Sequence, residues 1–176
     1  ARYDHYAFSS EDHLLSEGDR RGGRTLDAVS PMVGVTFAAT DQLNVYSSFA
    51  TAYQTPTTVE LSNTPSGAGG FNTQLHPENL KTFELGLRGG LDPARVRFEI
   101  GAYFSRLDNA LVQFQRPDEA TFFRNAGEAS RNGLEAMVQW TPTARVSTRL
   151  AYTYQDFEFT RFVAPEGDFS GNREPG

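Results

Sequence analysis

Three groups of side chains in this sequence have types that could do chemistry, and none is spaced like a catalyst. Arg20, Arg21 and Arg24 form a cationic cluster able to draw in an anion by charge. Glu11, Asp12, Glu17 and Asp19 lie close by, so the same segment reads more simply as a solvated loop in which exposed ion pairs contribute little. Phe71, Phe122, Phe123 and Arg124 could offer aromatic faces and a guanidinium to a ligand, although packing within loops is the simpler reading. His5, His13 and His76 stand apart from one another, with no metal-ligand spacing and no nucleophile motif, and each reads as a loop or wall residue. The sequence contains no cysteine, which removes disulfides, thiolate metal sites and cysteine nucleophiles. The expectation is a non-enzymatic protein with no resident metal or cofactor.

The elements that must position these residues are strands. The 176 residues are enough for one domain with a core, and 38% hydrophobic content does not suggest disorder. A formal net charge of -6, with no basic face on any predicted strand, argues against nucleic acid as a partner. No window approaches the ~20 apolar residues of a membrane-spanning helix, so a bilayer could be crossed only by strands. The mean hydropathy of -0.49 is no objection, because only alternate residues of a transmembrane strand face lipid. The chain starts at Ala1 without an initiator methionine or signal peptide, which suggests a piece of something longer.

Successive side chains of a strand point to opposite faces, and from Val96 to Phe104 apolar and polar residues alternate on that period. Val96, Phe98, Ile100, Ala102 and Phe104 share one surface; Arg97, Glu99, Gly101 and Tyr103 share the other. The period predicts seven strands, near residues 2–9, 31–39, 43–54, 82–90, 95–108, 131–140 and 145–160. Pairing must match parity, because a slip of one residue moves every side chain to the wrong face. On that rule Ala39 can face Leu43, with Phe37 opposite Val45 and Val33 opposite Phe49. Leu87 can face Phe98, and Trp140 can face Val146, with Ala136 opposite Leu150.

Tight turns near residues 41, 92 and 143 alternate with long polar segments at 10–29, 55–81 and 112–125. One end is therefore short-looped and the other long-looped, the asymmetry of a bacterial outer-membrane barrel. The last segment, 163–176, falls on the long-loop end. Trp140 beside a tight turn, and Tyr53, Tyr152 and Tyr154 toward opposite strand ends, suit interfacial aromatic girdles. Antiparallel sheets over a soluble core show the same alternation, so a soluble β-sandwich stays open at this point. Gly86, Gly101 and Gly133 fall on the polar parity, where a missing side chain could ease curvature or leave room inside.

Several segments, in order, resemble the barrel of TonB-dependent outer-membrane receptors. Leu75-His76-Pro77-Glu78, followed by Glu84-Leu85-Gly86, is similar to that family's Leu-x-Pro-Glu and Glu-Leu-Gly where a loop runs into a strand. Arg2-Tyr3-Asp4, Ser30-Pro31-Met32-Val33-Gly34, Thr55-Pro56 with Glu60-Leu61, and Asn125-Ala126-Gly127 with Gly133-Leu134-Glu135 are similar to further family segments. The resemblance implies an all-β, antiparallel up-and-down transmembrane β-barrel, of which residues 1–176 supply about seven strands of the larger wall. It also implies a plug domain and final strands outside this sequence, since family members close about 22 strands around a plug.

The same resemblance implies an outer-membrane location in a Gram-negative bacterium. Its partners would be membrane lipid, a ferric siderophore or related metal complex, and the TonB complex reached through the plug. Ligand contacts would come from Arg20, Arg21, Arg24, Phe71, His76, Phe122, Phe123 and Arg124 on the long loops. Haem receptors of the family carry Phe-Arg-Ala-Pro and Asn-Pro-Asn-Leu, where this chain has Tyr53-Gln54-Thr55-Pro56 and Leu75-His76-Pro77-Glu78-Asn79-Leu80. Both depart from the pattern, which leaves His76 without its haem context. The alternatives are a different outer-membrane barrel, structural or porin, and a haem receptor of the same family.

Overall fold

The computed structural model describes every residue except 12, 14–20, 63, 66–70, 116–120, 165–166 and 175–176, and at position 126 the backbone alone. The described elements are β1 (Arg2–Ser10), β2 (Gly22–Ser30), β3 (Met32–Thr40), β4 (Leu43–Gln54), α1 (Thr58–Leu61), β5 (Glu78–Leu91), β6 (Val96–Gln115), β7 (Thr121–Thr143), β8 (Val146–Ala164) and β9 (Gly167–Asp168). β3 to β9 form one sheet in sequence order, each strand antiparallel to the next; β1 and β2 form a separate hairpin. Only Pro31 separates β2 from β3, and lacking an N–H it cannot donate to a ladder; its carbonyl accepts from the Thr51 N–H at 3.0 Å.

Register carries the alternation from strand to strand. Phe37, Val45, Leu87, Ile100, Ala136 and Tyr152 lie side by side in one row across β3 to β8. Val35, Ser47, Leu85, Ala102, Leu134 and Tyr154 form the next row, and Val33, Phe49, Phe83 and Phe104 begin the one above it. Most large side chains on this face remain open: Phe37 is 68% exposed, and Leu150 on β8 69%. The apolar belt runs on β5 from Leu91 to Phe83, about 27 Å of strand at ~3.4 Å per residue, or ~20 Å of height at a tilt of ~40°. Within the belt the sheet therefore buries none of its large apolar residues against itself; Leu107, Phe114 and Phe122 are buried above it.

The opposite face is polar and fitted around two tyrosines. Tyr46 lies across Gly86 and Gly101 on the two neighbouring strands, and Tyr103 lies on Gly133. A Cβ at any of these glycines would run into a tyrosine ring or its hydroxyl. The glycines on the polar parity thus make room for aromatic rings. Tyr46 Oη donates to Glu84 Oε1 at 3.2 Å.

Several expectations need correction. β2 lies inside the segment 10–29 read as loop; only Leu26 and Ala28 are buried along it, so its period is masked by Gly22, Gly23, Arg24 and Asp27. Most of 112–125 is also strand, since β6 and β7 stay paired up to Gln115 opposite Thr121. Backbone ladders need no apolar side chains where polar ones meet water. Phe37–Val45 and Val33–Phe49 pair as expected, but a bulge leaves Ala39 unpaired and sets Thr40 opposite Leu43. Leu87 pairs with Ile100, Trp140 with Thr148 and Ala136 with Tyr152, each two residues from expectation. Parity fixes the face but tolerates slips of two, and β7 runs on to Thr143, which shortens its turn. β8 continues to Ala164, so Tyr152 and Tyr154 lie mid-strand.

Gly133→Val would place a branched side chain where the Tyr103 ring lies and should cost about 1–3 kcal/mol of overpacking. Denaturant unfolding of the full-length protein in detergent measures it. Tyr103→Ala in the same background should recover part of the loss, and wild-type stability of Gly133→Val would contradict the packing.

Candidate functional site

The β5–β6 ladder ends at Asn79 opposite Asp108, whereas β6 and β7 continue upward as a protruding pair. A β-bulge follows at Asn109, whose φ of 62° lies in the left-handed region that asparagine tolerates better than most residues. Beside this pair sits the segment between β4 and β5. It opens with α1, whose Thr57 and Glu60 form a capping box: the Glu60 N–H donates to Thr57 Oγ1 at 3.3 Å, and Glu60 Oε2 accepts from the Thr57 N–H at 2.6 Å. Pro56, Leu61 and Leu75 are fully buried in or beside this segment. The buried Asn72 donates from its backbone to Leu61 and from Nδ2 to the Phe123 carbonyl, at 3.4 Å.

Where backbone pairing stops, side chains take over. Glu78 Oε1 accepts from the Leu111 N–H at 2.7 Å. Asn125 Oδ1 accepts from the His76 N–H at 2.6 Å, while its Nδ2 donates to the His76 and Asn109 carbonyls, each at 2.7 Å. Arg24 on β2 donates to the carbonyls of Thr73 and Leu75. Phe71 packs where a Cβ on Gly22 would fall.

These contacts leave a cleft of about 340 Å³ between Pro65, residues 72–76 and β7, lined in part by Gln74, His76, Phe123 and Arg124. The Arg124 guanidinium lies 4.9 Å from the Phe122 ring centre and 5.9 Å from that of Phe114. Phe114 and Phe122 are themselves stacked at 5.6 Å, and Phe159, Phe162 and Phe169 extend the cluster. Arg124 makes no ion pair among the described residues and is exposed.

Of the candidate ligand contacts, His76, Phe123 and Arg124 therefore line one cleft. Phe122 is buried beneath Arg124, Phe71 borders an adjoining hollow with Asn72 and Gln74, and Arg24 clamps the backbone behind it. Arg21 lies just before β2, and Arg20 is outside the described residues. Sequence reasoning missed Asn72, Asn125 and Glu78 as site builders, although the last two stand inside family-like segments. Phe114, Phe159, Phe162 and Phe169 meet only through the fold.

Just above the apolar belt, and on the same face, a charge network crosses the four strands β5 to β8. Lys81 and Arg106 hold Asp108 at 2.8 and 3.0 Å; Arg106 and Arg161 hold Glu128 at 2.5 and 3.6 Å. The hydrogen bond from Lys81 lowers the Asp108 pKa below its ordinary value; burial opposes this, and Arg106 adds to it.

An up-and-down antiparallel sheet with an apolar belt on one face, glycine-seated tyrosines on the other and long excursions at one end defines a wall of a transmembrane β-barrel. The chain belongs to the TonB-dependent receptors: residues 1–176 match the family model described as TonB dependent receptor-like, beta-barrel. Proteins of this family are Gram-negative outer-membrane β-barrels. The chain is 25% identical over 136 residues to the probable TonB-dependent siderophore receptor PiuA of Acinetobacter baumannii, covering 77% of this chain and 18% of that protein. The crystal structure of PiuA superposes with a TM-score of 0.66 at 23% identity, covering 92% of this chain and 24% of the other. The copper transporter OprC gives 0.71 at 17% identity, covering 90% and 25%. The chain thus spans a quarter or less of these relatives.

Because the Asp108 pKa is lowered on folding, its stabilisation is present above the unfolded value of ~3.9 and is lost as pH falls through the folded value. Acid titration of the full-length protein, followed by hydrogen exchange at residues 106–110, should show this loosening. Asp108→Asn should flatten the acid response; an identical pH profile in wild type and variant would contradict it.

Proposed function

We propose that the full-length protein imports a ferric siderophore or a chemically similar metal complex, and that this chain contributes barrel wall and extracellular loops. The observation that supports this most is Arg124: an exposed guanidinium laid over two stacked phenylalanines, beside His76 and Phe123, at the mouth of the β6–β7 protrusion. Stacking on the ring face orients the cation without neutralising it, which leaves its N–H groups for the anionic oxygens of a ferric complex. The half-buried Phe123 ring and the exposed His76 ring beside it suit an aryl group on the same ligand.

On this reading the apolar belt faces membrane lipid, and the Lys81–Arg106–Arg161 network lies at headgroup level. The polar face looks onto a plug, which TonB rearranges to admit the ligand; plug and remaining strands belong to chain outside residues 1–176. OprC transports copper, which supports copper as a second cargo. Among the described residues no group of three or more His, Cys, Asp or Glu could hold a bare metal ion, which favours a complexed metal.

The test is binding of a panel of ferric siderophores, with free Cu²⁺ as comparison, to the intact receptor in detergent. Arg124→Gln should weaken the ferric ligand that binds best by about tenfold, on the scale of one charge-assisted contact. Unchanged affinity across the panel, or saturable binding of free Cu²⁺ alone, would overturn the proposal.

A further inference from the structure

Two family-like segments far apart in sequence, Leu75 to Glu78 and Asn125 to Gly127, meet at one joint, and the joint is made almost entirely by side chains. Above Asn79–Asp108 the backbone of β6 has lost β5 as a partner. The Leu111 N–H, the Asn109 carbonyl and both polar groups of His76 would be left without ladder partners there. Glu78 satisfies the first, and the single carboxamide of Asn125 satisfies the other three.

We propose that Asn125 and Glu78 are positioning residues that stand in for the missing β5–β6 ladder, and so fix residues 71–76 as a strap against the β6–β7 protrusion. The chemistry is specific to the groups present. A carboxamide offers an acceptor and two donors in one plane, so Asn125 accepts one N–H and donates to two carbonyls at once. A carboxylate in its place keeps the acceptor, loses both donors and turns a negative oxygen toward two carbonyls. At Glu78 only an acceptor is used, so glutamine suffices and an apolar side chain does not.

The joint also explains the shape of the cleft. His76 is on the strap and Phe123 and Arg124 are on β7, two and one residues from Asn125, so the same carboxamide sets the spacing between the two walls. Asn72, donating to the Phe123 carbonyl, and Arg24, holding Thr73 and Leu75, steady the strap from other sides. Neither replaces the bonds to His76. The inference concerns how the cleft is built and does not depend on which ligand enters it.

Hydrogen exchange of the ligand-free, full-length protein in detergent tests it, with residues 96–104 of β6 as internal reference. Asn125→Asp should raise exchange across residues 71–76 at least tenfold, while the reference segment and the melting temperature keep wild-type values. Asn125→Ala should act in the same direction and Glu78→Leu should expose Leu111, whereas Glu78→Gln should preserve wild-type protection. Wild-type protection of 71–76 in both Asn125 variants would overturn the proposal. So would equal loosening of 71–76 and 96–104, which would mark Asn125 as a general stabiliser, or failure of Glu78→Gln to retain protection where Glu78→Leu loses it.

Discussion

Unbroken register is the constraint on which the rest of this structure depends. A strand in hydrocarbon must find every backbone partner on its neighbours, because no water replaces a lost hydrogen bond. The same pairing decides which side chains share a face. Here β3 to β8 hold their apolar residues in common rows, so alternation within each strand becomes a continuous belt. Above the belt the constraint relaxes. Bulges enter the β6–β7 and β7–β8 ladders, β5 leaves the sheet, and side chains begin to do what backbone did below.

That change of regime also separates what was legible in the sequence from what was not. Val96 to Phe104 announces its face because every residue on one side is apolar, and its parity is the one observed. The offset between Leu87 and Ile100 was not legible, since a slip of two preserves every face. β2 escaped because a hairpin beyond the belt needs no wide apolar side, and Leu26 and Ala28 alone do not make a period. The upper parts of β6 and β7 escaped for the same reason. Resemblance to known receptors supplied the family, which the match over residues 1–176 shows.

The site follows a similar division. His76 and Arg124 stood out as single residues with useful chemistry, but nothing in their spacing says that they share a cleft. Their meeting depends on Asn125, an ordinary polar residue whose importance lies in three backbone groups elsewhere. Phe114 and Phe122 gain theirs by stacking across a strand pair whose existence was itself hidden. Arg24, a candidate anion contact in a segment read more simply as a solvated loop, spends donors on the carbonyls of Thr73 and Leu75. The segments above the belt are thus held by polar contacts that can be remade, while the wall beneath them is held by a ladder that cannot slip.

The central claim is that one face of this ladder is turned to lipid and the other to a polar interior. Nitroxide labels placed singly from Val96 to Phe104 in the full-length protein, reconstituted in vesicles, test it most directly. The account predicts that collision with dissolved oxygen peaks at 96, 98, 100, 102 and 104 and falls at the residues between, with a water-soluble nickel chelate showing no such peaks at the even positions. Equal oxygen accessibility along the strand, or a period with the opposite phase, would contradict it.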